Sequence, residues 1–221
     1  MEGSLAPLTG VADLAREFGA ALMVDEAHAM GLYGPTRRGR VDETGTVDAV
    51  DVTMASFSKS SASCGGFITG SAELVTGLRV TARPMIFSTS SVPAATASSL
   101  ASIRLMRTDE GARRTDAVRR NSILLRTELR GKGIECDSGL PDDSWSPIVP
   151  VPVGDDLRAV HTWNLLLEAG VYTGVAVHPA VPAAGAILRL CVTADHTEEQ
   201  LVGAAVSIAH ALAATRLDAA S

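Results

Sequence analysis

The sequence predicts an α/β protein, and three observations lead to that prediction. Apolar runs of strand length recur along the chain, helical patterns lie between them, and the alternation resumes after two longer helical segments. Such alternation favours helices packed on largely parallel sheets. In that architecture ligands bind at the carboxyl ends of the strands, so the segments that follow the strands are candidates for function.

The first predicted elements are a short helix and a buried strand. "ADLAREFG" (12–19) has Leu14 and Phe18 four positions apart and ends in glycine, which is typical of a short helix. "AALMVDE" (20–26) is apolar up to its closing acids, which predicts a buried parallel strand. Such a strand needs a partner on each side and the preceding residues offer none, so we expect the chain to begin partway through a fold.

The chain is predicted to comprise two domains, residues 1–107 and 108–221. The boundary lies between two helical patterns, and a complete alternation of strands and helices follows it. Thr197 with Gln200 forms a capping box that starts the closing helix. The remaining predicted elements are strands at 49–56, 65–71, 146–153, 171–177 and 186–194, and helices at 94–107, 110–130, 156–170 and 196–214.

The motif Asp-Glu-Ala-His at residues 25–28 also occurs in nucleic-acid helicases, but the helicase interpretation fails unless a phosphate-binding loop lies upstream of this sequence. Such a motor needs a G-x-x-x-x-G-K-[ST] loop to hold nucleotide phosphates. The only Gly-Lys pair, Gly131-Lys132, is followed by Gly133 and supplies no hydroxyl. The formal net charge of −6 also gives no general attraction to a nucleic-acid backbone.

Composition favours a cytoplasmic protein without a metal site or a membrane span. The cysteines are odd in number and widely spaced, which fits neither a disulfide framework nor a zinc site, and the histidines lack metal-ligand spacing. The N-terminal "MEGSLAPLTG" lacks the apolar core of a secretory signal. No apolar run approaches the roughly 18 residues of a membrane span.

The loop "SFSKSSASCGG" (56–66) carries a lysine directly after a predicted strand. Ser56-x-x-Lys59 matches the S-x-x-K motif of penicillin-interacting enzymes, but the partner motifs S-D-N and K-T-G are absent. A lysine there can instead form a Schiff base with pyridoxal 5'-phosphate, which also needs an acid for its ring nitrogen and donors for its phosphate. Parallel strands would bring Asp25 and Lys59 to one edge, with His28 in reach of the ring hydroxyl.

Four stretches together resemble the α-oxoamine synthases, pyridoxal-phosphate enzymes of fold type I within the aminotransferase class I/II superfamily. Members include 8-amino-7-oxononanoate synthase, 2-amino-3-ketobutyrate CoA ligase, 5-aminolevulinate synthase and serine palmitoyltransferase. The resemblance covers nearly the whole chain, in order. The stretches are "VDEAHAMGLYGPTRRGR", "SFSKSSASCGGFITGS", "ARPMIFSTSSVPA" and "HPAVPAAGAILRLCVTADHTEEQL".

The resemblance implies roles for individual residues. Asp25 would pair with the pyridinium nitrogen, and His28 would bond the phenolic oxygen of the ring. Lys59 would anchor the cofactor and remove the α-proton of the amino acid. Ser56 would contact the phosphate, and Ser88 and Thr89 would reach the phosphate of the partner subunit in a homodimer. Arg189 would bind the substrate carboxylate through its fork of donors.

The resemblance also implies the activity: condensation of an amino acid with an acyl-CoA or acyl-carrier thioester, with decarboxylation. The chain would be the C-terminal part of such an enzyme, an incomplete large-domain sheet followed by the small α/β domain. We expect the isolated chain not to catalyse the condensation, because the family's upstream glycine-rich phosphate loop and ring-stacking residue are missing. The alternative is a non-catalytic truncated homologue or partner subunit that retains the fold and the dimer surface.

Each site residue also has a structural interpretation. Asp25 and His28 are typical of a loop cap, and a lysine is usually just solvated. Arg189 would be an edge-strand residue with a buried stem. Ser88 and Thr89 are common turn formers. The loop also departs from the family pattern, because Lys-Ser-Ser-Ala stands where Lys-Ala-Leu-Gly is common, so its geometry is expected to differ.

Overall fold

A computed structural model describes residues 1–137, 139–141 and 144–216. The chain divides into two compact units. The N-terminal unit is Ala6–Arg113, and the C-terminal unit combines Met1–Leu5 with the described chain from Arg114 onward. The division falls inside a helix, beyond the predicted boundary at residue 107. The assignment of the two parts to a large and a small domain stays a prediction.

The N-terminal unit contains a three-stranded sheet in the order β1-β2-β3, formed by Met23–Asp25, Val52–Ser56 and Gly66–Gly70. β1 and β2 are parallel, with Asp25 opposite Met54, and β3 is antiparallel to β2. The parallel pairing predicted for the first two strands is therefore confirmed. It brings the carboxyl ends of β1 and β2 to the same edge of the sheet.

β1 is less buried than the sequence predicts. Val24 is 8% exposed, whereas Met23 is 56% exposed. β1 lies at the edge of the described sheet, with a strand partner on one side only. Exposed and buried residues alternate along β1, so one face of the strand is packed and the other is open, unlike a strand covered on both faces. The core beneath it is small and contains Leu8, Val24 and Val41.

The unit also contains five helices, and three of them, α2, α3 and α4, have no counterpart among the predicted elements. α3 begins after Ser71, whose hydroxyl accepts a hydrogen bond from the Leu74 N–H, and α4 has a proline in its first turn. Both are ordinary helix-start signals. The helices of the unit are α1 (Leu8–Glu17), α2 (Arg40–Glu43), α3 (Ala72–Thr81), α4 (Arg83–Ile86) and α5 (Pro93–Met106), with a 3₁₀ turn at Val47–Ala49.

The C-terminal unit contains an antiparallel sheet in the order β4-β6-β5, with helices packed against it. Buried residues of α8 recur at Leu201, Ala205 and Ile208, so one face of this helix joins a core with Val149, Leu188 and other apolar side chains. The capping box predicted for Thr197 and Gln200 is confirmed. The elements are β4 (Ile148–Gly154), α7 (Asp156–Glu168), β5 (Gly174–Ala176), β6 (Ala186–Cys191) and α8 (Glu198–Ala214), and α6 (Asp109–Gly131) precedes them across the division.

The cysteines of the chain, Cys64, Cys136 and Cys191, are free thiols. Burial raises the pKa of the Cys136 thiol, although the nearby Arg126 guanidinium acts in the opposite direction. Within the described ranges, no helix combines the length and hydropathy that crossing a bilayer requires.

Candidate active site

Two segments meet at the carboxyl edge of β1 and β2. We call residues 25–31, which follow β1, the acid turn, and residues 57–65, which follow β2, the lysine loop. The Glu26 N–H donates to the Met54 carbonyl at 2.8 Å, which continues the β1–β2 pairing into the acid turn. The Ser60 hydroxyl donates to the Met30 carbonyl at 2.7 Å. The sheet and this side-chain bond together hold the two segments side by side.

Asp25 lies at the last position of β1, and its side chain is exposed. Its Oδ1 accepts a hydrogen bond from the Ala27 N–H at 2.8 Å. No described residue donates to Oδ2. The carboxylate is thus partly used as the loop cap that the structural interpretation expects, and it still has an oxygen available to a ligand. His28 is likewise exposed on the acid turn.

Glu26, the residue after Asp25, is the buried acid of the motif, and sequence analysis does not single it out. Its side chain is 2% exposed. Its carboxylate accepts the N–H groups of Arg40 at 2.9 Å and Val41 at 2.6 Å, at the start of α2. A Cβ on Gly39 would lie 2.5 Å from this carboxylate. Glu26 therefore fixes the acid turn against α2, and its role is positional.

Replacing Glu26 by alanine is expected to lower the free energy of unfolding by about 2–4 kcal/mol, because one buried and one partly buried N–H group lose their acceptor and a cavity forms. Chemical denaturation measures the change. Glu43→Ala is the matched control: Glu43 is exposed and pairs with Arg40, so its loss should change stability by less than about 0.5 kcal/mol. Equal effects of the two substitutions would contradict the role given to Glu26.

Asp42, in α2, holds the segment between the acid turn and α2 through hydrogen bonds. Its side chain is 7% exposed. It accepts hydrogen bonds from the Thr36 N–H and hydroxyl and from Arg38. Burial raises the pKa of Asp42, but these bonds outweigh it and leave the pKa below its usual value of 3.8. Because the folded-state pKa is depressed, this stabilisation is present above the unfolded-state pKa and is lost as the pH falls through the folded-state pKa.

A pair of hydroxyl groups lies where β2 passes into the lysine loop. Ser56 Oγ lies 2.5 Å from Ser58 Oγ and accepts the Ser58 N–H at 3.1 Å. Lys59 follows, and its side chain is exposed. The Phe57 N–H donates to the Gly65 carbonyl at 2.9 Å, so the two ends of the loop are closed on each other. Lys59 therefore stands on a closed loop beside a hydroxyl pair suited to an anion.

The chain contains one other lysine that could form a Schiff base in place of Lys59. The sequence contains two lysines, Lys59 and Lys132, among 19 basic residues. Lys132 follows α6 in the C-terminal unit, and its N–H donates to the Leu129 carbonyl. A cofactor that requires a lysine amine therefore has two candidate side chains, and only Lys59 shares a sheet edge with a carboxylate.

The remaining predicted site residues lie elsewhere. Ser88 and Thr89 follow α4 in an exposed segment. Arg189 lies in β6 of the C-terminal unit, where Nε donates to the Met1 carbonyl at 3.2 Å and the side chain is half-buried. The interpretation of Arg189 as an edge-strand residue is wrong, because β6 is the central strand between β4 and β5.

The edge with Asp25, Ser56 and Lys59 fits a cofactor that bears a carbonyl group, a basic ring nitrogen and a phosphate. An amine, a carboxylate and a hydroxyl pair are the donor set that such a group needs. The part of the chain that the structure describes holds no group of three or more His, Cys, Asp or Glu side chains that would bind a metal ion. The fold and site thus define an α/β protein with a lysine–carboxylate site at the carboxyl edge of a sheet.

Comparison with known proteins gives the family. The pattern of the family described as "Aminotransferase class I and II" matches residues 1–208. The chain belongs to this family, whose cofactor is pyridoxal phosphate.

Within this family, the chain is similar to several individual proteins. The chain is 39% identical to a serine palmitoyltransferase of Caulobacter vibrioides over 91% of its own length and 48% of that protein. It is 40% identical to a putative 8-amino-7-oxononanoate synthase of Desulfovibrio desulfuricans over 96% of its own length and 54% of that protein. A serine palmitoyltransferase solved with its pyridoxal phosphate internal aldimine superposes with a TM-score of 0.90 at 32% identity, over 97% of this chain and 53% of that one. The chain thus spans about half the length of these relatives.

Proposed function

We propose that the protein that contains this chain acts as a pyridoxal-phosphate-dependent acyltransferase of the α-oxoamine synthase type. It joins the α-carbon of an amino acid to the acyl group of an acyl-CoA or acyl-carrier thioester. The reaction releases the free thiol, and it releases the carboxylate of the amino acid as carbon dioxide. The remaining product is an amino ketone. The observation that carries the proposal is the placement of Lys59 and Asp25 at one edge of the parallel β1–β2 pair. The relatives described above supply the reaction class.

Bound pyridoxal phosphate supplies an electron sink that stabilises negative charge on the amino acid's α-carbon. Asp25 holds a proton on the ring nitrogen through its carboxylate, one oxygen of which is not used within the described chain. Lys59 anchors the cofactor through Nζ and, when released from it, takes the α-proton as a general base. Its exposed side chain leaves Nζ free to serve in both roles.

The remaining residues bind rather than react. His28 donates to or accepts from the phenolic oxygen of the ring. Ser56 contacts the phosphate through the hydroxyl pair that it forms with Ser58. Ser88 and Thr89 contact the phosphate held by a second copy of the chain.

We also propose that the protein works as a homodimer in the cytoplasm. The segment that holds Ser88 and Thr89 is flanked by large apolar side chains that are well exposed: Phe87 is 82% and Val92 is 66% exposed. Exposed apolar clusters of this kind mark surfaces that another chain covers. Free thiols suit a reducing compartment.

Arg189 is proposed to bind the carboxylate of the amino acid. Arg189→Lys keeps the charge but loses the planar fork, so the apparent affinity for the amino acid should fall about tenfold or more while cofactor content stays constant. The affinity is measured from the spectral change of the bound cofactor on titration with the amino acid. Arg130→Lys is a matched control, since Arg130 is an exposed residue of α6. An unchanged affinity in Arg189→Lys would mean that Arg189 only supports β6.

The test of the proposed function is an assay of the protein as it occurs in the cell. The purified protein is incubated with pyridoxal phosphate, a panel of small amino acids and acyl-CoA thioesters, and free thiol and carbon dioxide are both measured. Release of the two in equal amounts with one amino acid supports the proposal, and sedimentation equilibrium gives the mass of the active species. Cofactor binding without release in any combination would favour the alternative, a non-catalytic homologue or partner subunit.

A further inference from the structure

The lysine loop is held by hydroxyl groups on two sides. On one side, Ser60 Oγ donates to the Met30 carbonyl of the acid turn at 2.7 Å. On the other side, two bonds connect the loop to α5: Ser63 Oγ donates to the Ala95 carbonyl at 2.7 Å, and Ser102 Oγ donates to the Ser61 carbonyl at 2.9 Å. The bond from Ser60 thus connects the lysine loop to the acid turn through a side chain.

The two segments also approach each other closely at Ser60, which is an exposed residue. A Cβ on Gly31 would come within 3.2 Å of the Ser60 Cβ, so the backbone of the acid turn approaches the lysine loop closely. The Met30 carbonyl is itself fixed, because the Gly31 N–H of the same peptide unit donates to the Arg37 carbonyl at 2.8 Å and the Met30 N–H donates to the Glu26 carbonyl at 2.8 Å. Met30 therefore offers Ser60 an acceptor that is rigidly connected to β1.

The loop needs such support because its backbone is strained. Ala62 has a φ of +47°, in the left-handed region that glycine favours. A residue other than glycine persists in that conformation only when its surroundings hold it there. The Ala62 N–H donates to the Lys59 carbonyl at 2.9 Å, so relaxation of Ala62 would move the backbone of Lys59 directly.

We propose that Ser60 is a positioning residue that holds the backbone of Lys59 against the acid turn. The inference rests on the proposed function, in which Lys59 and Asp25 act on the same cofactor. Ser60 is adjacent to Lys59, and its acceptor Met30 lies two residues after His28, so one hydroxyl bond couples the lysine anchor to the residues that grip the ring. Ser60 touches neither the cofactor nor the substrate in this role.

The first experiment measures loop order without any cofactor. Hydrogen–deuterium exchange is compared in the wild-type protein, Ser60→Ala and Ser63→Ala, for peptides that cover the lysine loop and the acid turn. We expect Ser60→Ala to speed exchange in both peptides, and Ser63→Ala to speed it in the lysine loop alone, because its bond leads to α5. An acid turn that is unaffected by Ser60→Ala would overturn the proposal.

The second experiment measures the cofactor. Pyridoxal phosphate is titrated and followed by the absorbance of the bound form. Ser60→Ala should raise the dissociation constant about three- to tenfold, the range expected from one lost hydrogen bond. Ser60→Thr, which keeps a hydroxyl, should stay within about twofold of the wild type. Ser71→Ala, which removes the hydroxyl cap of α3, serves as the control for a general loss of stability.

The outcomes separate the two claims. If Lys59→Arg binds pyridoxal phosphate as tightly as the wild type does, the proposed function is overturned and, with it, the role of Ser60. If binding of pyridoxal phosphate requires Lys59, but Ser60→Ala and the wild type have equal dissociation constants, only the positioning role of Ser60 is overturned. Equal weakening in Ser60→Ala, Ser60→Thr and Ser71→Ala would also overturn it, since the hydroxyl of Ser60 would then have no specific effect.

Discussion

Replacing Lys59 by arginine is expected to reduce thiol release by a factor of about 10³ or more. Arginine keeps the positive charge, but its guanidinium does not lose a proton in proteins, so it supplies neither the free amine that anchors the cofactor nor a general base. General base catalysis alone is worth about 10²–10⁴ in rate. The measurement is the initial rate of thiol release at saturating amino acid and acyl-CoA.

Lys132→Arg is the control for this substitution. It is the same chemical change at the other lysine of the chain, at an exposed position in the other unit. Its rate should remain within about twofold of wild type, since exposed surface substitutions have small effects. A Lys59→Arg variant that retains a substantial rate would show that Lys59 is an ordinary solvated lysine.

Asp25→Asn is expected to slow exchange of the amino acid's α-proton by about 10² or more while cofactor content stays near wild type. An amide does not hold a proton on the ring nitrogen, so the ring becomes a poorer acceptor of charge from the α-carbon. The Ala27 N–H keeps an acceptor in this variant, because asparagine retains a carbonyl oxygen in place of Oδ1. The exchange rate is measured by NMR in deuterated water without the thioester.

Asp51→Asn separates this electronic effect from loop capping. Asp51 also uses its carboxylate to accept a backbone N–H, that of Leu22 at 2.8 Å, but it precedes β2 and so lies at the opposite edge of the sheet. Its exchange rate should match wild type. Equal rates in Asp25→Asn and wild type would instead make Asp25 a loop cap, as its bond to Ala27 alone would suggest.

Sequence patterns predicted most of the strands and long helices because these elements depend on local periodicity. The helices at 94–107 and 110–130 correspond closely to α5 and α6. The start of α8 was predictable to within two residues, because the Thr197–Gln200 capping box satisfies backbone groups within a single turn. The shared edge of β1 and β2 followed from the expectation that neighbouring strands are parallel.

Features that depend on tertiary partners could not be predicted from the sequence. The burial of Glu26 is set by α2, which lies well beyond it along the chain, and nothing in the Asp-Glu-Ala-His motif distinguishes the buried acid from the exposed Asp25. The centre position of Arg189 depends on strand order, which local pattern does not specify. By contrast, α3 carried a readable signal in Ser71 followed by Glu73, an N-cap and a first-turn acid.

The lysine loop contains one feature that was predictable from the sequence and one that was not. The sequence revealed a departure from the family pattern at Ser60, Ser61 and Ala62, and it led us to expect a changed geometry. The structure keeps Ala62 in a conformation that suits the glycine common at that position. The Ser60 hydroxyl donates to the Met30 carbonyl, and the backbone carbonyl of Ser61 accepts from the Ser102 hydroxyl. Which carbonyl the Ser60 hydroxyl reaches depends on distant parts of the chain, so no local pattern could have given its partner.

The central claim is that Lys59 anchors pyridoxal phosphate, and chemical trapping tests it most directly. The protein is mixed with pyridoxal phosphate, reduced with borohydride and digested, and the pyridoxylated peptide is identified by mass spectrometry. With two lysines in the chain, the side-chain assignment is binary. We predict a stoichiometric pyridoxyl group on Lys59, with Lys132 modified only at trace level. Modification of Lys132 at an equal or greater level would contradict the account.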